Sequence, residues 1–229
     1  MKSDLIIACD FASEQEFNNF IKLFENEKPF LKIGYQLFYA TGREFIRRLV
    51  NSGYRIFLDL KLHDIPNTVE HGIKSLVDLG VEFVTIHASG GMKMMEAAVK
   101  ATKGSTLKLL AITQLTSTDQ KMLEAELLID RKLIDVVHHY AVNALESGVH
   151  GVVCSVWESK YIKDKISHDL LTVTPGIRLE QVSDDQSRVA TPKEAHANRV
   201  DYIVVGRPIT KAKNPLQEYR KIRKDFLGE

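Results

Sequence analysis

The segment FLDLKLHDIPNTV, Phe57 to Val69, has the pattern of one strand, one turn and the first residues of one helix. Its apolar start is typical of a strand that is buried on both faces, which we predict at Arg55–Leu60. Asp64 stands where the chain should already be turning. Pro66 suits the first position of a helix, which we expect to run through His71–Leu79. The segment is therefore predicted to be one βα unit.

Comparable units repeat along the whole chain. Short β-branched runs recur at intervals of about 20 to 30 residues, with amphipathic segments between them. We predict the other strands at Leu5–Cys9, Phe30–Gly34, Phe83–His87, Lys108–Thr113, Gly151–Ser155, Leu171–Thr174 and Tyr202–Val205. Strands in strict alternation with helices fit either an open doubly wound sheet or a closed barrel. The number of repeats and their regular spacing favour the barrel. We therefore predict an α/β protein with a single (β/α)8 TIM barrel domain over residues 1–229.

Several helix boundaries have local signals. Ser13 is followed three residues later by Glu16, which is the spacing of a capping box. Thr41 is expected to open the helix that contains FIRRLVNSG, and Gly53 is expected to close it. The connection Thr118–Ser147 is longer than the others, so we expect an extra short helix before its main helix.

The overall composition excludes several classes of protein. The chain has 31 Lys and Arg residues against 30 Asp and Glu residues, which gives no general electrostatic reason to expect a nucleic acid or an anionic membrane as partner. Cys9 and Cys154 lie in apolar runs and lack the spacing of a metal site. The apolar stretch in MKSDLIIACDF is too short for a signal sequence or a membrane span, so we expect a cytoplasmic protein.

Polar residues cluster where the predicted strands end, although the strands themselves are apolar. In a barrel of this kind, the active site lies at the C-terminal ends of the strands. The residues at these positions are Asp10, Lys32, Asp59, Lys61, His87, Thr116, Gly176, Arg178, Gly206 and Arg207. Two or three such residues would be ordinary, but so many converging on one rim indicate a functional site.

The charged residues of the opening segment point to proton chemistry. Strand side chains alternate between faces, so Asp59 and Lys61 should project on the same side. A lysine among carboxylates keeps its proton, because opposite charges favour the ionised form. It is then ready to protonate a carbanion. The alternative is a surface ion pair at the end of a strand. Two charges that point inward from an apolar strand favour the functional interpretation.

A second group of residues suggests a phosphate site. In DYIVVGRPIT, Asp201 to Thr210, Gly206 lets the backbone approach a ligand closely and Arg207 follows it directly. The loops after the seventh and eighth barrel strands often bind phosphate together with a helix N-terminus. Arg178 and Gln186 lie in or beside the polar stretch LEQVSDDQSR and are positioned to reach the same phosphate. The alternatives are a simple turn at Gly206 and a solvated loop after the seventh strand.

No metal or nucleotide-cofactor motif is evident. His87 ends a strand without a second histidine at ligand spacing, so we interpret it as a histidine that lines the site or is hydrogen-bonded in the core. The sequence contains neither GxGxxG nor a Walker A loop. We therefore expect no metal ligands.

Eight segments resemble the bacterial form of the orotidine 5′-phosphate decarboxylase family, in order and along essentially the whole chain. They are DFAS, LKIG, DLKLHDIPNTV, HASGG, QLTSTD, GVVCS, TPGIR and VVGRPIT. DLKLHDIP is the most specific of them. The resemblance implies a barrel enzyme that converts orotidine 5′-monophosphate to UMP and CO2, the last step of de novo pyrimidine nucleotide synthesis. It also implies that the enzyme uses no metal and no organic cofactor.

The resemblance assigns catalytic roles to the charged residues. The Asp-x-Lys-x-x-Asp network of the family falls on Asp59, Lys61 and Asp64, and Lys32 completes it. Lys61 would be the proton donor, and Asp59 would lie near the departing carboxylate. Asp64 would reach the active site of the partner subunit, which implies a homodimer.

The resemblance also assigns substrate contacts. Asp10 and Lys32 would bind ribose hydroxyls, with Thr68 contributing from the partner chain, and Thr116 would contact the pyrimidine. The residues implied for the phosphate and its closing loop are Arg178, Gln186, Gly206 and Arg207.

Two other functions remain open from the sequence. One is a metal-dependent relative on the same barrel, a hexulose-phosphate aldolase or a sugar-acid phosphate decarboxylase, which works through Mg²⁺ and an enediolate. LKLHDIPNTV and Lys32 favour the nucleotide enzyme. The other is a non-catalytic nucleotide-binding barrel, against which the intact charged network argues.

Overall fold

The chain forms a closed barrel of parallel strands in the order β1 to β8, in which β8 pairs with β1. The structure is a computed structural model and describes residues 3–24, 27–179 and 188–229. The strands are Asp4–Ala8 (β1), Phe30–Gly34 (β2), Ile56–Leu62 (β3), Phe83–His87 (β4), Lys108–Ile112 (β5), Gly151–Val153 (β6), Leu171–Thr174 (β7) and Tyr202–Val205 (β8). The predicted barrel is confirmed, and every predicted strand end lies within two residues of the observed one.

Helices alternate with the strands and cover the outside of the barrel. They are Glu14–Ile21 (α1), Tyr35–Thr41 (α2), Arg43–Asn51 (α3), Pro66–Val77 (α4), Met92–Ala101 (α5), Gln120–Ala125 (α6), Leu133–Glu146 (α7), Val156–Lys165 (α8), Pro192–Ala197 (α9), Arg207–Thr210 (α10) and Pro215–Leu227 (α11). Two short 3₁₀ helices occupy Lys22–Phe24 and Ala88–Gly90. Among the described residues, no helix is both long and apolar enough to cross a bilayer.

The predicted helix starts have mixed outcomes. Ser13 caps α1 as predicted, because its hydroxyl accepts a hydrogen bond from the backbone N–H of Glu16 at 3.2 Å. The Glu16 carboxylate accepts from the backbone N–H of Ala12, one residue earlier than a capping box requires. The prediction that Thr41 opens a helix is wrong. Thr41 is the last residue of α2, and Gly42 separates α2 from α3. Gly42 has a φ of 77°, a left-handed conformation that ends α2.

Three other predicted helix features are present in the structure, with one difference at the end of α4. Gly53 follows the end of α3 with a φ of 85°, as expected for a glycine that terminates a helix. Pro66 is the first residue of α4, which ends at Val77 rather than at the expected Leu79. The extra short helix of the long connection is α6, Gln120–Ala125.

Aromatic side chains fill the N-terminal half of the barrel interior. Phe30, Phe57, Phe83 and Tyr202 pack together there, with ring centroids 5.3 Å apart for Phe30 and Phe83 and 5.2 Å apart for Phe83 and Tyr202. We call these four residues the aromatic plug. The guanidinium group of Arg55 lies 4.2 Å from the centre of the Phe30 ring and covers the plug from below. The plug therefore forms a solid base under the C-terminal half of the barrel.

Candidate active site at the C-terminal end of the barrel

A cavity of about 720 Å³ opens at the C-terminal ends of the strands. It contains most of the residues that the strand-end pattern singled out. These are Asp10, Lys32, Asp59, Lys61, Thr116, Gly176, Arg178, Gly206 and Arg207. A barrel places the ends of all its strands on one rim, so residues far apart in sequence converge on a single cavity.

Four of these side chains form a chain of alternating charge along the first three strands. Nζ of Lys32 lies 3.0 Å from Oδ1 of Asp10 and 3.5 Å from Oδ2 of Asp59. Nζ of Lys61 lies 2.8 Å from the same Oδ2. Gly34 keeps this space open, because a Cβ at that position would stand 3.3 Å from Oδ1 of Asp10. Each charge is thus held by a neighbour of opposite sign.

The alternating charges fix the protonation of the two most buried members. Burial alone would raise the pKa of the Asp59 carboxyl. Its pKa nevertheless lies below the ordinary value, because Lys32 and Lys61 are positively charged and Thr85 donates a hydrogen bond. Burial likewise works to lower the pKa of Lys32, but the negative charges of Asp59 and Asp10 outweigh it and raise that pKa. Asp59 is therefore an anion and Lys32 a cation at neutral pH.

Lys61 reaches Asp59 from an irregular backbone. Leu58 pairs with Val84 and Leu62 pairs with Ile86, so β3 uses four residue steps where β4 uses two. Lys61 lies in this bulge with a φ of 50°, in the left-handed region that non-glycine residues rarely adopt. The predicted proximity of the two side chains is therefore observed, but regular strand alternation is not its cause.

The base of the cavity is apolar. Phe57 of the aromatic plug, Ile112, Val153 and Val204 line it beneath the charged chain. Apolar walls exclude water and lower the local dielectric constant, so a charge held above them acts more strongly on a bound ligand than it would in water.

Basic residues line the cavity at the ends of β7 and β8. Arg178 follows β7, Arg207 follows β8 at Gly206, and Lys211 lies after α10. Arg207 is exposed, so its guanidinium group is accessible to a ligand. Together these groups can bind an anion. Gln186, which the sequence analysis placed beside them, lies outside the described residues.

Arg188, which had no signal in the sequence, links the β7–α9 connection to α8 and to the loop after β5. Arg188 pairs with Glu158 of α8, and both side chains are largely buried, with 14% and 6% of their surface exposed. Arg188 also donates hydrogen bonds to the backbone carbonyls of Gln114 and Leu115 at 3.2 and 2.8 Å. Glu158 in turn accepts from the backbone N–H of Ser155 at 2.7 Å. Arg188 thus connects one end of the β7–α9 connection to the residues just before Thr116.

Backbone pairing closes the base of the same β7–α9 connection. The N–H of Arg178 donates to the carbonyl of Ala190 at 3.0 Å, and the N–H of Ala190 donates to the carbonyl of Gly176 at 3.1 Å. Gly176 has a φ of 80°, which a residue with a side chain would adopt only under strain. Both ends of the connection are therefore held at the cavity rim.

Three of the singled-out residues lie outside the cavity. Asp64 and Thr68 are exposed on the surface between β3 and the first turn of α4. Oδ1 of Asp64 accepts a hydrogen bond from the backbone N–H of Ile65 at 2.7 Å. The ring of His87 lies against that of His63, with centroids 5.5 Å apart. Burial, with the charges of His63 and Lys61, lowers the pKa of His87, so this ring is neutral at pH 7.

Several polar residues of the site escaped the strand-end pattern. Gln114, Ser117, Thr210 and Lys211 also line the cavity. Thr85 was missed because it lies two residues before the end of β4. Strand alternation carries the signal that would have found it, because Thr85 shares a face with Phe83 in the barrel interior.

Comparison with known proteins gives a consistent set of relatives. Residues 3–222 match the family described as "Orotidine 5'-phosphate decarboxylase / HUMPS family". An orotidine 5'-phosphate decarboxylase of Bacillus pumilus is 49% identical over 99% of this chain and 100% of its own length. The orotidine 5'-phosphate decarboxylase of Geobacillus kaustophilus is 44% identical over 100% of this chain and 96% of its own length. The crystal structure of orotidine 5'-phosphate decarboxylase from Lactobacillus acidophilus superposes with a TM-score of 0.89 at 40% identity, covering 98% of this chain and 99% of that one.

Proposed function

The chain belongs to the orotidine 5′-phosphate decarboxylase family and converts orotidine 5′-monophosphate to UMP and CO2 in pyrimidine biosynthesis, and we propose that Lys61 is the proton donor of this reaction. One observation carries the proposal. The ammonium group of Lys61 is held 2.8 Å from Asp59 above an apolar cavity base. The contact holds this ammonium group at the mouth of the cavity, where a bound substrate would meet it.

The chemistry requires such a charge. When the bond between C6 and the carboxylate breaks, its electron pair stays on C6 and CO2 leaves. The pyrimidine offers no obvious electron sink for this carbanion, and enzymes commonly supply one with a cofactor. Here the Lys61 ammonium stabilises the negative charge that develops at C6 and then transfers a proton to it. The neutral amine regains its proton from solvent after the product leaves.

Asp59 has two roles in this proposal. It orients Lys61 through the 2.8 Å contact, and it lies next to the carboxylate that departs. Two unit charges about 4 Å apart repel each other by ~4 kcal/mol at an effective dielectric constant of 20, and the repulsion is relieved as CO2 leaves. The low pKa of Asp59 supports this role because it keeps the carboxylate charged. We rank stabilisation of the transition state by Lys61 above this ground-state effect.

The remaining cavity residues bind the substrate. Asp10 and Lys32 bind the ribose hydroxyls, and Thr116 contacts the pyrimidine. The phosphate is held by Arg178, Gln186, Gly206 and Arg207. This assignment is supported by the separation of the cavity into an alternating-charge side and a basic side. Binding energy from the phosphate, remote from C6, can then be used to orient the reacting carbon.

The enzyme acts as a homodimer in which Asp64 and Thr68 complete the active site of the partner subunit. The support is an exposed apolar patch beside these residues. Tyr35, Tyr39 and Ile65 have 52%, 77% and 66% of their surface exposed, which is unusual for large apolar side chains. The Tyr35 ring lies 5.7 Å from Nζ of Lys61, so the patch borders the active site. A second copy seated there brings its own Asp64 close to Lys61.

One assay tests the reaction and its chemistry. The full chain is mixed with orotidine 5′-monophosphate, and the loss of absorbance is followed before and after exhaustive treatment with EDTA. We expect the rate of decarboxylation to be the same before and after the EDTA treatment. Loss of activity in EDTA that Mg²⁺ restores would favour the metal-dependent relatives, and binding of UMP without turnover would favour a non-catalytic barrel. The expected absence of a cofactor and of a nucleic-acid partner, like the cytoplasmic location, stays a prediction.

A further inference from the structure

We propose that Thr85 is a positioning residue that sets the geometry of Lys61 and Asp59 through a single hydroxyl group. The inference rests on the proposed role of Lys61 as proton donor. Thr85 is the third residue of β4 and is completely buried in the barrel. It does not line the substrate cavity, so it acts through its two neighbours.

The Thr85 hydroxyl makes one hydrogen bond to each of the two residues. Its Oγ1 accepts from the backbone N–H of Lys61 at 2.8 Å. It also donates to Oδ1 of Asp59 at 2.9 Å. A backbone N–H can only donate and an ionised carboxylate can only accept, so the direction of both bonds is fixed. One side chain therefore ties the backbone of Lys61 to the carboxylate of Asp59.

The bulge in β3 explains why this bond is needed. The Arg55 carbonyl accepts from Leu31 of β2, so in a regular strand the alternation would direct the N–H of Lys61 toward β2, which ends at Gly34. The bulge between Leu58 and Leu62 turns this N–H toward β4, where it meets the Thr85 hydroxyl. A non-glycine residue with a φ of 50° persists only where its surroundings hold it in place. The Thr85 hydroxyl accepts this bond in place of a backbone carbonyl and holds Lys61 in this conformation.

The second bond fixes the orientation of the carboxylate. Oδ1 of Asp59 is occupied by Thr85, while Oδ2 faces both Lys61 and Lys32. Rotation of the carboxylate would break the bond to Thr85, so Oδ2 stays directed at the two lysines. The backbone of Lys61 and the side chain of Asp59 then keep a constant relative position through the reaction.

Substitution of Thr85 separates this role from simple packing. Thr85→Val keeps the shape of the side chain and removes only the hydroxyl, and Thr85→Ser keeps the hydroxyl. We expect Thr85→Val to lower kcat by about 10- to 100-fold, the effect of losing a hydrogen bond to a charged group. UMP binding should change little. Thr85→Ser should restore most of kcat.

Thr174→Val is the matched control. Thr174 ends β7, is completely buried, and its hydroxyl has no hydrogen-bond partner in the part of the chain that the structure describes. Removal of this hydroxyl should leave kcat and its pH dependence unchanged. Thermal unfolding of all three variants shows whether any loss of activity follows a loss of fold.

The pH profile provides a readout that packing alone would not change. The charged or titratable groups around Asp59 are Lys32, Lys61, Asp10 and His87. Thr85→Val leaves all of them in place but removes a hydrogen bond that favours the carboxylate form. The pKa of Asp59 should rise, and the acid limb of kcat/KM should move to higher pH. Thr85→Ser and Thr174→Val should keep the wild-type limb.

Each outcome decides the inference. Wild-type kcat and an unmoved acid limb in Thr85→Val overturn it, as does a Thr85→Ser variant as impaired as Thr85→Val. If Thr85→Val does not fold, Thr85→Cys replaces it, and its weaker S–H donor should move the acid limb in the same direction by less. An unmoved limb in Thr85→Cys also overturns the inference. Turnover that survives in Lys61→Ala would instead remove the premise, which distinguishes failure of the proposed function from failure at Thr85.

Discussion

Lys32 and Lys61 converge on the same atom, since Oδ2 of Asp59 lies 3.5 Å from Nζ of Lys32 and 2.8 Å from Nζ of Lys61. The carboxylate between the two ammonium groups offsets their mutual repulsion. Asp10 neutralises Lys32 from its other side at 3.0 Å. Lys61 is the end of this chain of charges, and its free side faces the cavity.

Replacement of Lys61 by alanine should abolish turnover while UMP binding stays measurable. Asp59 keeps its contact with Lys32 in this variant, so the fold and the nucleotide contacts should persist. Rapid-mix decarboxylation assays and calorimetric UMP binding measure the two properties. Lys160→Ala on α8, which removes an exposed lysine paired with Asp164, is the control. A kcat in Lys61→Ala comparable to that of the wild type would rule out the role of Lys61.

Asp59→Asn should lower the free energy of unfolding by about 1–3 kcal/mol at pH 7, because the buried charge of Lys32 then loses an ionic partner. The folded-state pKa of Asp59 is depressed, so its contribution is present above its unfolded pKa of about 3.9 and is lost as the pH falls through the folded value. The stability difference between wild type and variant should therefore shrink below about pH 4. Urea unfolding from pH 7 to pH 3 measures it. A difference that stays constant over this range would contradict the assignment.

Arg207→Ala should raise KM by about 10- to 100-fold, the loss expected for a charged hydrogen bond to phosphate. Orotidine without its phosphate should be a poor substrate of the wild-type enzyme. Steady-state kinetics with both substrates provide the test. Arg220→Ala, which removes an exposed arginine of α11 paired with Glu27, should behave like the wild type. Equal kcat/KM with and without the phosphate would exclude the proposed phosphate site.

Arg188→Met should reduce kcat/KM and lower the free energy of unfolding by about 3–5 kcal/mol, since it leaves the buried carboxylate of Glu158 without its cation. A double-mutant cycle with Glu158→Gln should give a coupling energy of about 1 kcal/mol or more. If Arg188 positions the loops after β5 and β7 at the cavity rim, the loss in kcat/KM, expressed as a free energy, should exceed the loss in the free energy of unfolding. Additive effects of the two substitutions would show that the pair does not act as a unit.

Hybrid dimers should recover activity from two inactive variants. In a mixture of Lys61→Ala and Asp64→Ala, each hybrid dimer has one site with an intact Lys61 and the intact Asp64 of the partner subunit. Random exchange makes half of the dimers hybrids, so about a quarter of the wild-type activity should return. Activity is measured after denaturation and refolding of the mixture. A mixture no more active than its components would contradict a shared active site.

The strands could be predicted almost to the residue because their signal is local. Runs such as Tyr202–Val205 are apolar on both faces, and in a barrel with helices outside and side chains inside, both faces are buried. The convergence of Asp10, Lys32 and Arg207 on one rim then follows from topology alone.

Non-local features could not be predicted from the sequence. Strand alternation predicted the correct neighbour for Lys61, but the observed contact arises from a bulge that depends on the pairing between β3 and β4 and leaves no composition signal. Glu158 caps α8 through the backbone N–H of Ser155, a local interaction, but its pairing with Arg188, 30 residues further along the chain, has no local signal. Thr85 is one of several threonines at strand positions. Its importance comes from two residues on the adjacent strand.

The aromatic plug affects how CO2 leaves the cavity in which it forms. Phe57 belongs both to the plug and to the cavity base, so the cavity is closed below and opens at the C-terminal ends of the strands. Until it escapes, CO2 stays beside the carbanion and can recombine with it. The forward direction of the reaction is then decided by a race between recapture of the gas and delivery of a proton. If Lys61 is the proton donor, as proposed, its ammonium group is already in place and shortens the interval in which recapture can occur.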